Sequence, residues 1–197
     1  MPTVDYDLRY LRAGVEQLED YLLVEDVYRS IGVSPPRGEP PYPQMTLGWL
    51  LLYRRRIETL SLTPAQGAEA ARLTSQMDIV YTRWRVAWGK KATREFGVRL
   101  GQWGNFIQDY RDAPGANYDR YPYEVNRRVI LQLLETEAGG SAPGLSEQDL
   151  KMLDGLDAIL KAYLSPCSFI WGPDLAAGFP QAIFWYLYGK LPSRQNE

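Results

Sequence analysis

Apolar residues recur along this chain at spacings of three and four, the period of one face of an α-helix. A first apolar stripe predicts a helix over residues 5 to 23 and consists of Val4, Leu8, Leu11, Val15, Leu18 and Leu22. A second stripe predicts a helix over residues 46 to 60, with Leu50, Tyr53, Ile57 and Leu60 on its buried side. No segment reads convincingly as a β-strand, so the pattern predicts an all-α fold.

Capping signals mark where the later helices begin. Thr63, Pro64 and Gln66 have the pattern of a capping box with proline at the first helical position. No proline follows until Pro114, so we expect one long central helix over about residues 63–112. Further helices are predicted to begin near Asp119 or Tyr121, to begin after the N-cap Ser146, and to cover about residues 180–188 as a short C-terminal aromatic helix.

These elements predict a five-helix bundle around the central helix. The chain has 197 residues and is 45% hydrophobic, which fits a single helical domain over residues 1–197. Two connectors interrupt the helical pattern: a proline-rich connector over 34–43 and a glycine-rich connector over 137–144. Both contain residues that do not continue a helix.

The apolar face of the central helix rotates midway along its length. On a helical wheel, one cluster contains Leu73, Met77, Val80, Trp84 and Trp88. A second cluster lies about 110° away and contains Ala92, Phe96, Leu100, Trp103, Ile107 and Tyr110. We expect the two halves to pack against different helices, with Trp84 and Trp88 in the core at the crossover.

Basic residues are concentrated near the same point. The candidate anion-binding or partner-binding residues are Arg72, Arg83, Lys90, Lys91 and Arg94. They form either a solvated face or a docking strip for a phosphate-bearing ligand or an acidic protein partner. Lys91 and Glu95 have the spacing of an ordinary surface pair. The net charge of −2 argues against a nucleic-acid partner.

Three glycines lie on one side of the central helix, and each costs about 1 kcal/mol relative to alanine. They are Gly97, Gly101 and Gly104. Either another helix packs closely over this strip, with a second copy of the chain as a candidate, or the helix bends or breaks there. We expect close packing and a homo-oligomer.

The composition excludes several classes of chemistry. The chain has no histidine and one cysteine, Cys167, which we expect to be small and buried. Histidine-based triads, cysteine-based metal clusters and an internal disulfide are therefore excluded. No nucleotide-binding or hydrolase motif is present, and we expect no cofactor and no metal. The longest apolar run, over 47–53, is too short to cross a membrane, and the first residues lack a secretory signal, which predicts a cytoplasmic protein.

Three segments, "RWRVAWGKK", "GEPPYPQMTLG" and "FPQAIFWYLYG", resemble an uncharacterised family of all-helical proteins from Chloroflexi-like bacteria. The resemblance covers most of the chain. It implies an all-helical fold but no activity, substrate or site.

We favour a non-catalytic interaction or scaffold protein that forms a homodimer. Three features support this interpretation: the change of apolar face along the central helix, the glycine strip and the absence of catalytic motifs. The alternative is a binding protein or enzyme for a small phosphate ester or other anionic ligand, with the basic strip as its site.

Overall fold

The computed structural model describes residues 3–139 and 144–193, and this part of the chain is all-α, as the sequence predicts. Its helices are α1 (Val4–Glu16), α2 (Leu18–Leu23), α3 (Leu47–Thr59), α4 (Pro64–Arg83), α5 (Arg85–Asp112), α6 (Pro114–Asn117), α7 (Tyr121–Gly139) and α8 (Glu147–Tyr163). Three 3₁₀ turns cover Tyr118–Arg120, Pro173–Gly178 and Trp185–Tyr188. Two short strands, β1 (Ser165–Pro166) and β2 (Gly189–Lys190), pair antiparallel.

Helix α5 lies at the centre of the bundle. It packs along α7 and against α8, while α3 packs against α1 and α7. The core between these helices is filled by large side chains, of which the biggest are Trp88, Trp103, Tyr10, Tyr21, Tyr110, Tyr121 and Tyr186. No helix in the described part of the chain is long and apolar enough to span a membrane.

The expected central helix over about 63–112 is interrupted at Trp84, where φ is −114° and ψ is 31°. Backbone hydrogen bonds continue on both sides, because Trp84 N donates to Val80 O at 2.8 Å and Trp88 N donates to Trp84 O at 2.8 Å. The prediction of different packing partners is confirmed: α4 contacts α1 and α3, whereas α5 packs mainly on α7. The break lets each half present its apolar face to its own neighbours.

The first predicted helix is also divided. Gln17 separates α1 from α2, with φ −107° and ψ −1°. Its side-chain amide donates to Ala13 O and to Ile31 O, both at 3.0 Å. The break therefore sets the direction of α2 and ties it to the chain that follows.

The C-terminal aromatic segment is not the α-helix expected over 180–188. Only Trp185–Tyr188 is helical there, as a 3₁₀ turn, and the β1–β2 pair closes the segment into a loop over the bundle. Tyr121 Oη donates to Tyr186 O at 2.5 Å, and Arg55 Nε donates to Gly178 O at 2.6 Å. The C-terminal segment is therefore held by side chains of other helices that donate to its backbone carbonyls, and not by the hydrogen bonds of an α-helix.

The two predicted connectors have different outcomes. The proline-rich connector over 34–43 has no helix and lies across α1, where Tyr42 Oη donates to Tyr6 O at 3.0 Å. The glycine-rich connector was expected to begin at residue 137, but α7 continues to Gly139. Residues 140–143 lie outside the described part of the chain.

Candidate functional site

An open groove of about 410 Å³ lies between the C-terminal end of α2 and the bend at Trp84. We call it the α2–α5 groove. Its apolar lining consists of Leu22, Leu23, Val24, Trp84, Val86 and Ala87. Its charged lining consists of Glu25, Lys90, Lys91 and Arg94. The structure therefore brings three of the five candidate basic residues together beside Trp84, one of the two tryptophans that were expected in the core.

The apolar part of the groove is exposed to solvent. Val86 is 62% exposed, Leu23 is 59% exposed and Val24 is 44% exposed. Single exposed apolar residues are common on protein surfaces, but a contiguous patch rimmed by polar residues is typical of an interaction site. The sequence gives little sign of this patch, because Leu23 and Val24, at the end of α2, lie far from Val86 in the chain and line one groove with it only in the folded structure.

Lys91 has a structural role and is not a surface residue. Its side chain is 3% exposed, and Nζ donates to Val24 O at 2.7 Å and to Asp26 O at 2.8 Å. Nζ also lies 4.1 Å from the centre of the Tyr21 ring. Burial, with a smaller contribution from the charge of Arg94, lowers the pKa of Lys91 to about 8. The expectation that Lys91 forms a surface pair with Glu95 is wrong, because Lys91 anchors the segment after α2.

Arg83 and Arg94 hold the same part of the chain. Arg83 Nη1 lies 3.2 Å from Glu19 Oε1, and Arg94 Nη2 lies 3.7 Å from Glu25 Oε1. Arg94 also donates to the Glu25 carbonyl. Together with Lys91, these cations fix α2 and the turn after it onto the bend.

The remaining candidate cations differ in environment. Arg72 lies on α4 outside the groove and donates to Gln76 Oε1 at 2.9 Å. Lys90 is exposed at the groove rim and has no hydrogen bond or ion pair with any residue that the structure describes. The strip that the anionic-ligand hypothesis requires is therefore mostly paired within the chain.

The two tryptophans at the bend occupy different sites. Trp88 is buried as predicted, and its Nε1 donates to Glu137 Oε2 at 3.2 Å. Trp84 is only half-buried, because its ring forms a wall of the groove. Its Nε1 is buried without a hydrogen-bond partner in the described structure. The expectation that both rings fill the core is thus confirmed for Trp88 alone.

Helix α5 runs unbroken through the glycine strip. A Cβ atom added at Gly97 or Gly101 would meet nothing within 4 Å. One added at Gly104 would lie 3.5 Å from Met152 Cε on α8, an ordinary van der Waals distance. Within the described chain no helix packs closely over Gly97 and Gly101, and the packing of a second copy there stays a prediction.

Two further expectations from the composition concern metal binding and the single cysteine. No group of three or more Asp, Glu or Cys side chains in this part of the chain is placed to hold a metal ion. Cys167 is half-buried rather than buried, because it lies beside the β1–β2 pair at the surface of the bundle.

The fold and the groove define an all-α protein with an exposed apolar surface at a bend between two helices. No family model, curated protein or solved structure matches the chain. The resemblance to an all-helical family of Chloroflexi-like bacteria stays a prediction.

Proposed function

We propose that this chain is a non-catalytic interaction protein and that it forms a homodimer through the α2–α5 groove. The observation that carries the proposal is that Leu23, Val24 and Val86, all exposed to solvent, line the same groove. Removal of such a patch from water is favourable by about 25 cal/mol for each Å² of apolar surface that is buried. A partner that covers the groove gains this free energy.

The charges on the two walls of the groove favour a second copy as that partner. The side of the groove that follows α2 carries one acidic residue, Glu25, whose side chain is 92% exposed. The α5 wall carries Lys90, which is unpaired within the described chain and is the cation free to meet a partner's carboxylate, whereas Arg94 is already paired with Glu25 of its own chain. A two-fold axis through the groove sets the acidic wall of each chain against the basic wall of the other. Such self-complementarity is the requirement of an isologous dimer.

Sedimentation equilibrium of the purified chain tests the dimer. We expect twice the mass of one chain at tens of micromolar protein, and the mass of one chain for Val86→Glu, which places a carboxylate in the apolar patch. Ile79→Glu is the matched control, because Ile79 is 57% exposed on α4 and does not line the groove. The proposal would be contradicted if the wild-type chain had the mass of a monomer, or if Val86→Glu and Ile79→Glu reduced the mass to the same extent.

A charge exchange tests the orientation. Lys90→Glu should weaken the dimer by placing like charges opposite each other, and Glu25→Lys in the same chain should restore it. Failure of the double variant to recover any affinity would exclude the proposed pairing of walls.

A further inference from the structure

A second cleft, of about 390 Å³, lies among α3, α4 and α7, and we call it the α3–α7 cleft. It shares no residue with the α2–α5 groove. Its polar lining includes three carboxylates and two arginines, and its aromatic lining is Tyr81 and Trp88. The apolar part of the lining is Leu51 and Leu133. Six of the ten lining residues are polar or charged and the other four are apolar or aromatic, so the cleft offers a ligand both polar partners and apolar surface.

One of the carboxylates, that of Glu137, forms no ion pair with any residue that the structure describes. Its only hydrogen bond among the described residues comes from Trp88 Nε1, at 3.2 Å. Burial raises the pKa of Glu137, and the Trp88 hydrogen bond and the charge of Arg54 only partly oppose that effect. A partly buried carboxylate with one neutral donor is incompletely compensated.

The arginines of the cleft are already bound to other groups. Arg54 Nε lies 2.9 Å from Glu58 Oε1, and Arg54 Nη1 lies 2.7 Å from Asp78 Oδ1. Arg55 donates to Gly178 O at 2.6 Å, and its guanidinium lies 4.9 Å from the centre of the Phe184 ring. Neither arginine forms an ion pair with Glu137 in the described structure.

The aromatic wall adjoins the Glu137 carboxylate. Tyr81 and Trp88 meet edge to face, with their ring centres 5.3 Å apart. Trp88 belongs to this wall and is also the hydrogen-bond donor to Glu137. The Arg85 guanidinium already lies over the Tyr81 ring, 5.6 Å from its centre, so the aromatic wall offers a ligand apolar contact, and the carboxylate beside it offers a charged acceptor for an N–H donor.

We propose that the α3–α7 cleft binds a small organic amine, with its ammonium group on the Glu137 carboxylate and its apolar body against Tyr81, Leu51 and Leu133. The amine supplies the ion-pair partner that none of the described residues gives to Glu137. The carboxylates of Glu58 and Asp78 in the same cleft disfavour an anionic ligand.

Isothermal titration with tryptamine tests the site, and tryptophol serves as the uncharged counterpart of nearly the same shape. Tryptamine should bind the wild-type chain. Tryptophol should bind the wild type about tenfold or more weakly than tryptamine does, and Glu137→Gln should weaken tryptamine binding by a similar factor, because each change removes a charged hydrogen bond. The matched control is Glu147→Gln, since the Glu147 side chain is 91% exposed on α8 and lies outside the cleft. It should bind tryptamine like the wild type.

Thermal unfolding without ligand separates binding from a structural role. Glu137→Gln removes a charge without a counter-ion and keeps an acceptor for Trp88, so we expect an unchanged or higher Tm. The proposal is overturned if tryptamine does not bind the wild type, if tryptophol binds equally well, or if Glu137→Gln lowers the Tm and leaves tryptamine affinity unchanged. None of these results depends on whether the chain dimerises.

Discussion

Glu95 and Arg99 form a buried ion pair one turn apart on α5, with 3.1 Å between Glu95 Oε1 and Arg99 Nε. The second carboxylate oxygen of Glu95 accepts the backbone N–H of Gly48 at 2.9 Å. Arg99 Nη2 donates to Thr46 Oγ1 at 3.1 Å. The pair therefore holds the N-terminus of α3, where the unpaired N–H groups of a helix favour a negative charge.

The first prediction concerns the loss of one partner of this pair. Glu95→Ala leaves the Arg99 guanidinium buried without its counter-ion and should lower the free energy of unfolding by about 3–5 kcal/mol. Urea denaturation measures the change. The exposed Glu147–Lys151 pair is the control, and Glu147→Ala should have an effect of less than about 1 kcal/mol. If Glu95→Ala and Glu147→Ala lowered the free energy of unfolding by similar amounts, burial would not determine how much an ion pair contributes to stability.

The second prediction compares two helical glycines. A Cβ added at Gly48 would overlap Ile130 Cγ2 and lie 2.8 Å from Glu95 Oε1, whereas Gly97 has open space. Gly48→Ala should therefore destabilise the fold by about 1–3 kcal/mol through overpacking. Gly97→Ala should stabilise α5 by about 0.5–1 kcal/mol. Urea denaturation measures both values, and a stabilising Gly48→Ala would contradict the packing at the start of α3.

The third prediction separates the two tryptophans at the bend. Trp88→Phe removes the hydrogen bond to Glu137 and should destabilise the chain by about 1–3 kcal/mol. Trp84→Phe removes a buried N–H that has no partner in the described structure and should be nearly neutral or stabilising. Thermal unfolding of the two variants at one protein concentration makes the comparison. The reverse order of stability would show that the bend depends on Trp84 rather than on Trp88.

The fourth prediction concerns the pH dependence of stability. Asp7 is fully buried, and among the described residues only one of its carboxylate oxygens has a partner, Arg56 Nε at 2.9 Å. Burial raises its pKa from 3.8 to about 7, although Arg56 opposes the shift. Between these values the folded chain keeps a proton that the unfolded chain releases. The contribution of Asp7 to the free energy of unfolding therefore falls as the pH rises through this window.

Asp7→Asn tests this dependence. The amide is neutral at every pH, so the variant should gain stability relative to the wild type as the pH rises, by more than about 1 kcal/mol above neutral pH. The control is Asp174→Asn, which makes the same substitution at an exposed position. Urea denaturation across the acid-to-neutral range gives the profile. A constant difference between Asp7→Asn and the wild type would contradict the raised pKa.

The features that the sequence predicts correctly depend on residues close together in the chain. Thr63 Oγ1 accepts the Gln66 N–H at 3.3 Å and the Gln66 side chain accepts the Thr63 N–H at 3.0 Å, so the capping box is present. Ser146 Oγ accepts the Asp149 N–H at 3.0 Å in the same way. Such signals involve fewer than four peptide units and need no knowledge of the fold.

The candidate site was less predictable because its contacts join distant parts of the chain. Lys91 has the spacing of a surface residue, but the carbonyls that it binds lie 65 and 67 positions away. The break at Trp84 involves neither proline nor a neighbouring glycine, so no local signal marks it. The sequence does show that the apolar face rotates near Trp84. A straight helix with two packing partners and an interrupted helix both produce this rotation, so the pattern does not distinguish them.

The contacts of Arg55 with Gly178 and of Tyr121 with Tyr186 have a consequence for biosynthesis. They join the middle helices to a stretch that is translated more than 60 residues later. Phe179, Phe184, Tyr186 and Leu187 are all buried in the final core. The nascent bundle therefore remains open on this side on the ribosome until that stretch has emerged, and its apolar surface needs protection from aggregation in the interval.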